Sequence, residues 1–194
     1  MREKILAAID DGIAAIEQLK SPKALQFIEE VAERLATTFR LGGKVIIAGN
    51  GGSLCDAAHF AEELTGQFRR RRPALPAIAL TEPGHLTCVA NDMGFEEVFA
   101  RGVEAYGKPG DCFVGLTTSG NSPNIVRALE EAAIRGLTTI SFLGKGGGAL
   151  RGVADYELLI EGFATSERIQ EAHMFAIHTI IEGVEALLFS PCPV

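Results

Sequence analysis

Apolar side chains recur at helical spacing over residues 4 to 18 and again over 23 to 41, where Leu25, Ile28, Val31, Leu35 and Phe39 form one stripe. Gly42 and Gly43 stop the second of these helices. The period then changes. "KVIIAG" is a short β-branched run flanked by glycines, as in a strand covered on both faces, and a helix is predicted from about Leu54 to Thr65. The alternation repeats, with "PAIAL", "CFVGLT", "LTTISFL" and "DYELLIE" reading as strands and residues 95 to 106, 123 to 135 and 167 to 189 as helices. Strands separated by helices pair in parallel and are covered by helices on both faces, which predicts an α/β fold. No internal repeat or linker-like stretch interrupts the pattern, so residues 1 to 194 are expected to form one domain.

In such a sheet the working loops lie at the carboxyl ends of the strands. Three of them carry glycine: "GNGGS", "TSGNSP" and "GKGGGA". The second combines Thr118, Ser119, Asn121 and Ser122 with a proline at the first helical turn, so hydroxyls, free N–H groups and a helix dipole converge as a phosphate requires. A simpler reading is that Ser122 only caps the helix, but capping does not explain four polar residues in one loop. Neither glycine loop has the spacing of a Walker motif or of G-x-G-x-x-G, so a phosphorylated small molecule is expected rather than a nucleotide.

His59 and Glu63 stand four positions apart, on one face of the helix that the first glycine loop begins. Neighbouring Glu62 points about 100° away, as a solvated or ion-paired carboxylate would. The last predicted helix adds Gln170, Glu171, His173 and His178 among apolar positions. A histidine in such a helix is often held by one local hydrogen bond. Histidine, carboxylate and amide oxygen together can also hold a divalent metal or divide acid and base work. Gln170 and His178 are about 12 Å apart along a helix, too far for one ion within one chain. A homo-oligomer that shares the final helix at an interface would remove the difficulty.

Charge and cysteine usage narrow the classes. A net charge of -7 disfavours nucleic-acid binding. The basic run Arg69 to Arg72, before Pro73, is expected to be a solvated loop or an anion-attracting rim. Cys55, Cys88, Cys112 and Cys192 are widely spaced and signal neither a disulfide framework nor a zinc knuckle. The first residues lack a signal-peptide pattern and no apolar run approaches the ~20 residues of a membrane span, so a cytoplasmic protein is expected.

Taken in order, "GNGGSLCDAAHFAEELTG", "PAIAL", "CVANDMGFEEVFAR", "GDCFVGLTTSGNSPNIVRAL" and "RIQEAHMFAIH" resemble the sugar isomerase (SIS) domain family and, within it, the bacterial phosphoheptose isomerases. The resemblance covers nearly the whole chain. It implies a flavodoxin-like, three-layer α/β/α domain around a five-stranded parallel sheet, with an added N-terminal helical segment over residues 1 to 41. It also implies a homotetramer with active sites between subunits, and reversible conversion of sedoheptulose 7-phosphate to D-glycero-D-manno-heptose 7-phosphate. That step opens the supply of heptose for lipopolysaccharide.

By the same resemblance, Asn50, Gly51, Gly52, Ser53, Asn91 and Asp92 hold the sugar, and Thr117, Thr118, Ser119 and Ser122 surround its phosphate. His59, Glu63, Gln170 and His178 form a zinc and acid–base cluster, with Glu63 as base, His178 as acid, and Gln170 also touching substrate. Thr117 stands where serine is usual and Glu167 where aspartate is often found. The competing expectations are a non-catalytic relative that binds the replication initiator DnaA, and an isomerase of another phosphosugar. The presence of both Glu63 and His178 favours the enzyme.

Overall fold

The computed structural model describes residues 1–189, so Cys192 lies outside the described residues. Five strands form one parallel sheet: β1 (Val45–Gly49), β2 (Ala77–Ala79), β3 (Cys112–Thr117), β4 (Thr138–Gly144) and β5 (Tyr156–Ile160), in the order β2-β1-β3-β4-β5. Strands β1 and β3 are buried at every position, the reason their sequences are continuously apolar rather than alternating.

Successive side chains leave a strand on opposite faces, and the two cores follow that rule. Val45 and Ile47 of β1 join one core with α1 (Arg2–Glu17), α2 (Pro22–Arg40), α3 (Gly52–Thr65) and α7 (Ser166–Leu188). Ile46 and Ala48 join the other, with α4 (Pro83–Asp92), α5 (Val98–Tyr106) and α6 (Pro123–Ile134). This is the expected three-layer sandwich. No helix among the described residues is long and apolar enough to cross a membrane.

Two local features differ from expectation. Helix α4 is not predicted by the apolar pattern: it is short, only Val89 is buried, and its N-cap is Glu82, whose carboxylate accepts from the N–H groups of Gly84 and His85. The basic run is only in part a solvated loop and is not a rim on the glycine loops. Arg69 pairs with Glu182, Arg70 donates to the carbonyl of Phe189, and Arg72 pairs with Glu185, so the run lies along the end of the last helix with Arg72 enclosed, while Arg69 and Arg71 stay exposed as a solvated loop would.

Candidate active site

The winding reverses between β1 and β3, so the loops leaving their carboxyl ends are neighbours. They enclose a cavity of about 290 Å³. Asn50, Gly51, Gly52 and Ser53 line it from the first loop, Thr117, Thr118, Ser119 and Ser122 from the second, and Ser166 and Gln170 from α7. Gly52 lets the Gln170 side chain approach closely, because a Cβ there would stand 2.6 Å from its amide oxygen. Gln170 itself donates to the Ser53 hydroxyl at 3.3 Å.

The hydroxyls are linked to one another. Thr117 Oγ1 lies 3.0 Å from Ser122 Oγ and 3.4 Å from Ser119 Oγ, and Thr118 Oγ1 lies 2.9 Å from Ser166 Oγ. Ser122 occupies the N-cap position of α6, yet its side chain makes no capping bond. Its hydroxyl faces the cavity cluster instead, which decides against the simple capping role. Helices α3, α6 and α7 all begin at this cavity. No lining side chain carries a formal charge, so an anion bound here would rest on hydroxyls, main-chain N–H groups and helix dipoles. Asn50 and Asn124 exchange two hydrogen bonds of 2.9 Å, which tie the first loop to α6.

Farther along the α3/α7 pair, His59, Glu63 and His178 converge. Their ligating atoms all lie within 4.8 Å of one another. His59 Nε2 is 3.2 Å from Glu63 Oε1 and 3.4 Å from His178 Nε2. The His178 ring is flanked by those of His59 and Phe68, at centroid distances of 5.1 and 5.6 Å. Two imidazole Nε2 atoms and a carboxylate oxygen aimed at one point suit a small cation. Tetrahedral zinc with bonds near 2.0–2.1 Å separates its nitrogen ligands by about 3.3 Å, close to the spacing seen, so the residues fit the metal. They come from one chain. Gln170, about 12 Å from His178 along α7, stands at the cavity and not beside this group.

Other predicted residues fall elsewhere. Asn91 and Asp92 lie exposed at the end of α4, where the Asn91 amide donates to the Asp92 carboxylate at 2.7 Å. His173 is fully buried, and its Nε2–H donates to the carbonyl of Leu143 at 2.9 Å. Burial pushes its pKa down to about 4, so it pins α7 to β4 as a neutral ring. Ser166 and Asn124 had no signal beyond their place next to helix starts.

Asp56 also escaped sequence reasoning. It lies three residues before His59 with a buried, unpartnered Oδ2. Burial raises its pKa from 3.8 to about 6, with nearby His59 opposing. A carboxyl whose folded pKa is raised supports stability fully below the unfolded value and loses that support as pH rises through the folded one. Asp56→Asn should therefore raise the melting temperature at about pH 8 and change it little at about pH 4. An equal shift at both pH values in thermal unfolding would refute the assignment.

Residues 9–144 match the SIS domain family. A phosphoheptose isomerase from Fusobacterium nucleatum is 58% identical over 161 residues, covering 83% of this chain and 82% of the relative. Solved phosphoheptose isomerase structures from Francisella tularensis and Neisseria gonorrhoeae superpose with TM-scores of 0.89 and 0.87. Each is 34% identical, and the matches cover 95% of this chain with 97% and 98% of theirs. With that fold, hydroxyl-lined cavity and histidine–carboxylate cluster, the chain belongs to the SIS domain family and, within it, to the phosphoheptose isomerases.

Proposed function

We infer that this chain is an aldose–ketose isomerase that interconverts sedoheptulose 7-phosphate and D-glycero-D-manno-heptose 7-phosphate, the first step toward ADP-heptose and lipopolysaccharide heptose. The observation that carries the chemistry is the convergence of His59, Glu63 and His178 within 4.8 Å. The non-catalytic alternative gives those three groups no task.

The 7-phosphate sits among Thr117, Thr118, Ser119 and Ser122, at the amino end of α6. Main chain and side chains of Asn50 to Ser53, with Gln170, orient the sugar. Ketose-to-aldose conversion removes a proton from C1, places one on C2, and transfers the hydroxyl proton from O1 to O2. Glu63 takes the carbon-bound proton and returns it to the neighbouring carbon, and His178 moves the proton between oxygens. His59, 3.2 Å from Glu63 Oε1, fixes the carboxylate, whose second oxygen remains free to act as base. His59 and His178 through Nε2, and Glu63 through Oε1, would hold zinc, which when bound polarises the substrate carbonyl and stabilises negative charge on oxygen, leaving the second Glu63 oxygen and His178 Nδ1 for the proton transfers.

The protein works in the cytoplasm as a homotetramer. In support of assembly, α1 leaves Ile5, Ile9 and Ile13 each 52% exposed in one row, an apolar stripe that a second copy would cover. Asn91 and Asp92, exposed and outside the lining of their own cavity, complete a neighbour's site.

Purified protein given sedoheptulose 7-phosphate should form the aldose, lose most turnover after chelation, and regain it with zinc. The same sample should sediment as a tetramer. Full turnover by stringently metal-free protein removes the zinc assignment, and absence of turnover with metal present removes the substrate.

A further inference from the structure

Arg72 is the most enclosed member of the basic run. Its side chain is 2% exposed, and that of Glu185, its ion-pair partner on α7, is 7% exposed. The guanidinium Nε donates to Glu185 Oε1 at 2.7 Å. Nη2 donates to the main-chain carbonyl of Glu63 at 2.7 Å, and Nη1 to that of Leu64 at 2.8 Å. Both carbonyls belong to the last turn of α3, where acceptors have no partner within the helix. One of them belongs to the residue whose carboxylate faces His59. Glu185 lies seven residues beyond His178, about two turns along α7. One planar group thus joins the end of the helix that carries His59 and Glu63 to the helix that carries His178.

We propose that Arg72 and Glu185 are positioning residues that set the offset of α3 against α7, and with it the spacing of His59, Glu63 and His178. Stability alone does not call for a buried ion pair, because apolar residues of similar volume often serve as well or better. Apolar contacts, however, have little angular preference, whereas a fork of fixed N–H donors holds direction and distance. The demand for such precision is real: metal ligands tolerate errors of about 0.2 Å, and a displacement of about 1 Å can lower turnover about 10²-fold. Two further contacts of the run, Arg69 with Glu182 of α7 and Arg70 with the carbonyl of Phe189 at its C-cap, seat the same loop on the end of α7. This inference rests on the proposed reading of the three-group site.

The test uses metal-free full-length protein titrated with zinc alone, in wild type, Arg72→Lys, Glu185→Gln and the double variant Arg72→Met/Glu185→Leu. Circular dichroism and thermal melts report folding. The zinc dissociation constant is expected to rise about 10–100-fold in each folded variant. Affinity for inorganic phosphate should stay unchanged, because the hydroxyl-lined cavity lies at the other end of the helix pair.

The double variant separates the explanations, since apolar replacement of a buried pair preserves stability in many proteins. A folded double variant that binds zinc as wild type does overturns the proposal. Unfolding of all three variants, the charge-preserving Arg72→Lys included, also overturns it, by assigning the pair to stability. If wild type itself takes up no zinc, the metal reading fails separately, and kcat of the folded variants decides: unchanged kcat rejects the positioning role, and a fall at constant KM supports it.

Discussion

Glu63→Gln is expected to lower kcat for sedoheptulose 7-phosphate by about 10²–10⁴-fold, the usual worth of a positioned base, with a folded protein and a nearly unchanged KM. The substitution is close to isosteric. Its main-chain carbonyl still receives the Arg72 guanidinium, and the residue remains on α3 opposite His178. Substrate affinity should persist because the hydroxyl cluster proposed to hold the phosphate is built by other residues. What disappears is a basic oxygen able to accept a proton from carbon.

The same substitution removes the only formal negative charge of the proposed zinc site, so turnover must be read beside metal content. Zinc titration of the variant gives its occupancy, and substrate dissolved in deuterium oxide reports proton removal directly through uptake of label at carbon. At saturating zinc, a variant that neither turns over nor exchanges label identifies Glu63 as the base. A variant that exchanges label at the normal rate while zinc is bound would show that another group takes the proton. His178→Gln offers the complementary case, with exchange retained more than turnover, because the role proposed for it is at oxygen.

The strands were readable because each central one is buried on both faces and therefore apolar throughout, as β1 and β3 are. Helix α4 was not, because a single buried residue leaves no apolar stripe and its cap is a glutamate. The pairing of His59 with Glu63 was legible from local periodicity. The contact between His59 and His178 spans 119 positions, so only its residue types could be read, not its geometry. Asn50 with Asn124 and Arg72 with Glu185 span 74 and 113 positions. Such partners depend on how helices dock on the sheet, and the surrounding residues have no short-range reason to announce them. The arginine run illustrates the loss: four adjacent charges look solvated in sequence, whereas α7 supplies a carboxylate within 2.7 Å of the innermost one.

Gly120→Ala is the second large effect, and it tests the phosphate cluster without altering any hydroxyl. Gly120 has φ 64°, in the left-handed region that disfavours a side chain. A Cβ there would stand 1.8 Å from the Gly147 carbonyl oxygen and 2.3 Å from its carbon. These are main-chain atoms, so no rotamer change relieves the overlap and the two loops must part. Their separation would break the bond from Leu150 N–H to the Gly120 carbonyl and strain that from Ala149 N–H to Asn121 Oδ1, now 3.2 and 2.9 Å.

Backbone disruption of this kind belongs to the class that costs about 4 kcal/mol or more, which for a chain of this size lowers Tm by roughly 8–16 °C. Ser119 and Ser122 flank the displaced glycine, so KM for the phosphosugar should rise more than kcat falls, and inorganic phosphate should inhibit less. Gly146→Ala is the matched control, because a Cβ there meets nothing within 4 Å, and both Tm and KM should stay near wild type. Thermal melts and steady-state kinetics of the pair decide the matter: a Gly120→Ala protein with unaltered phosphate inhibition would mean that this loop does not hold the phosphate.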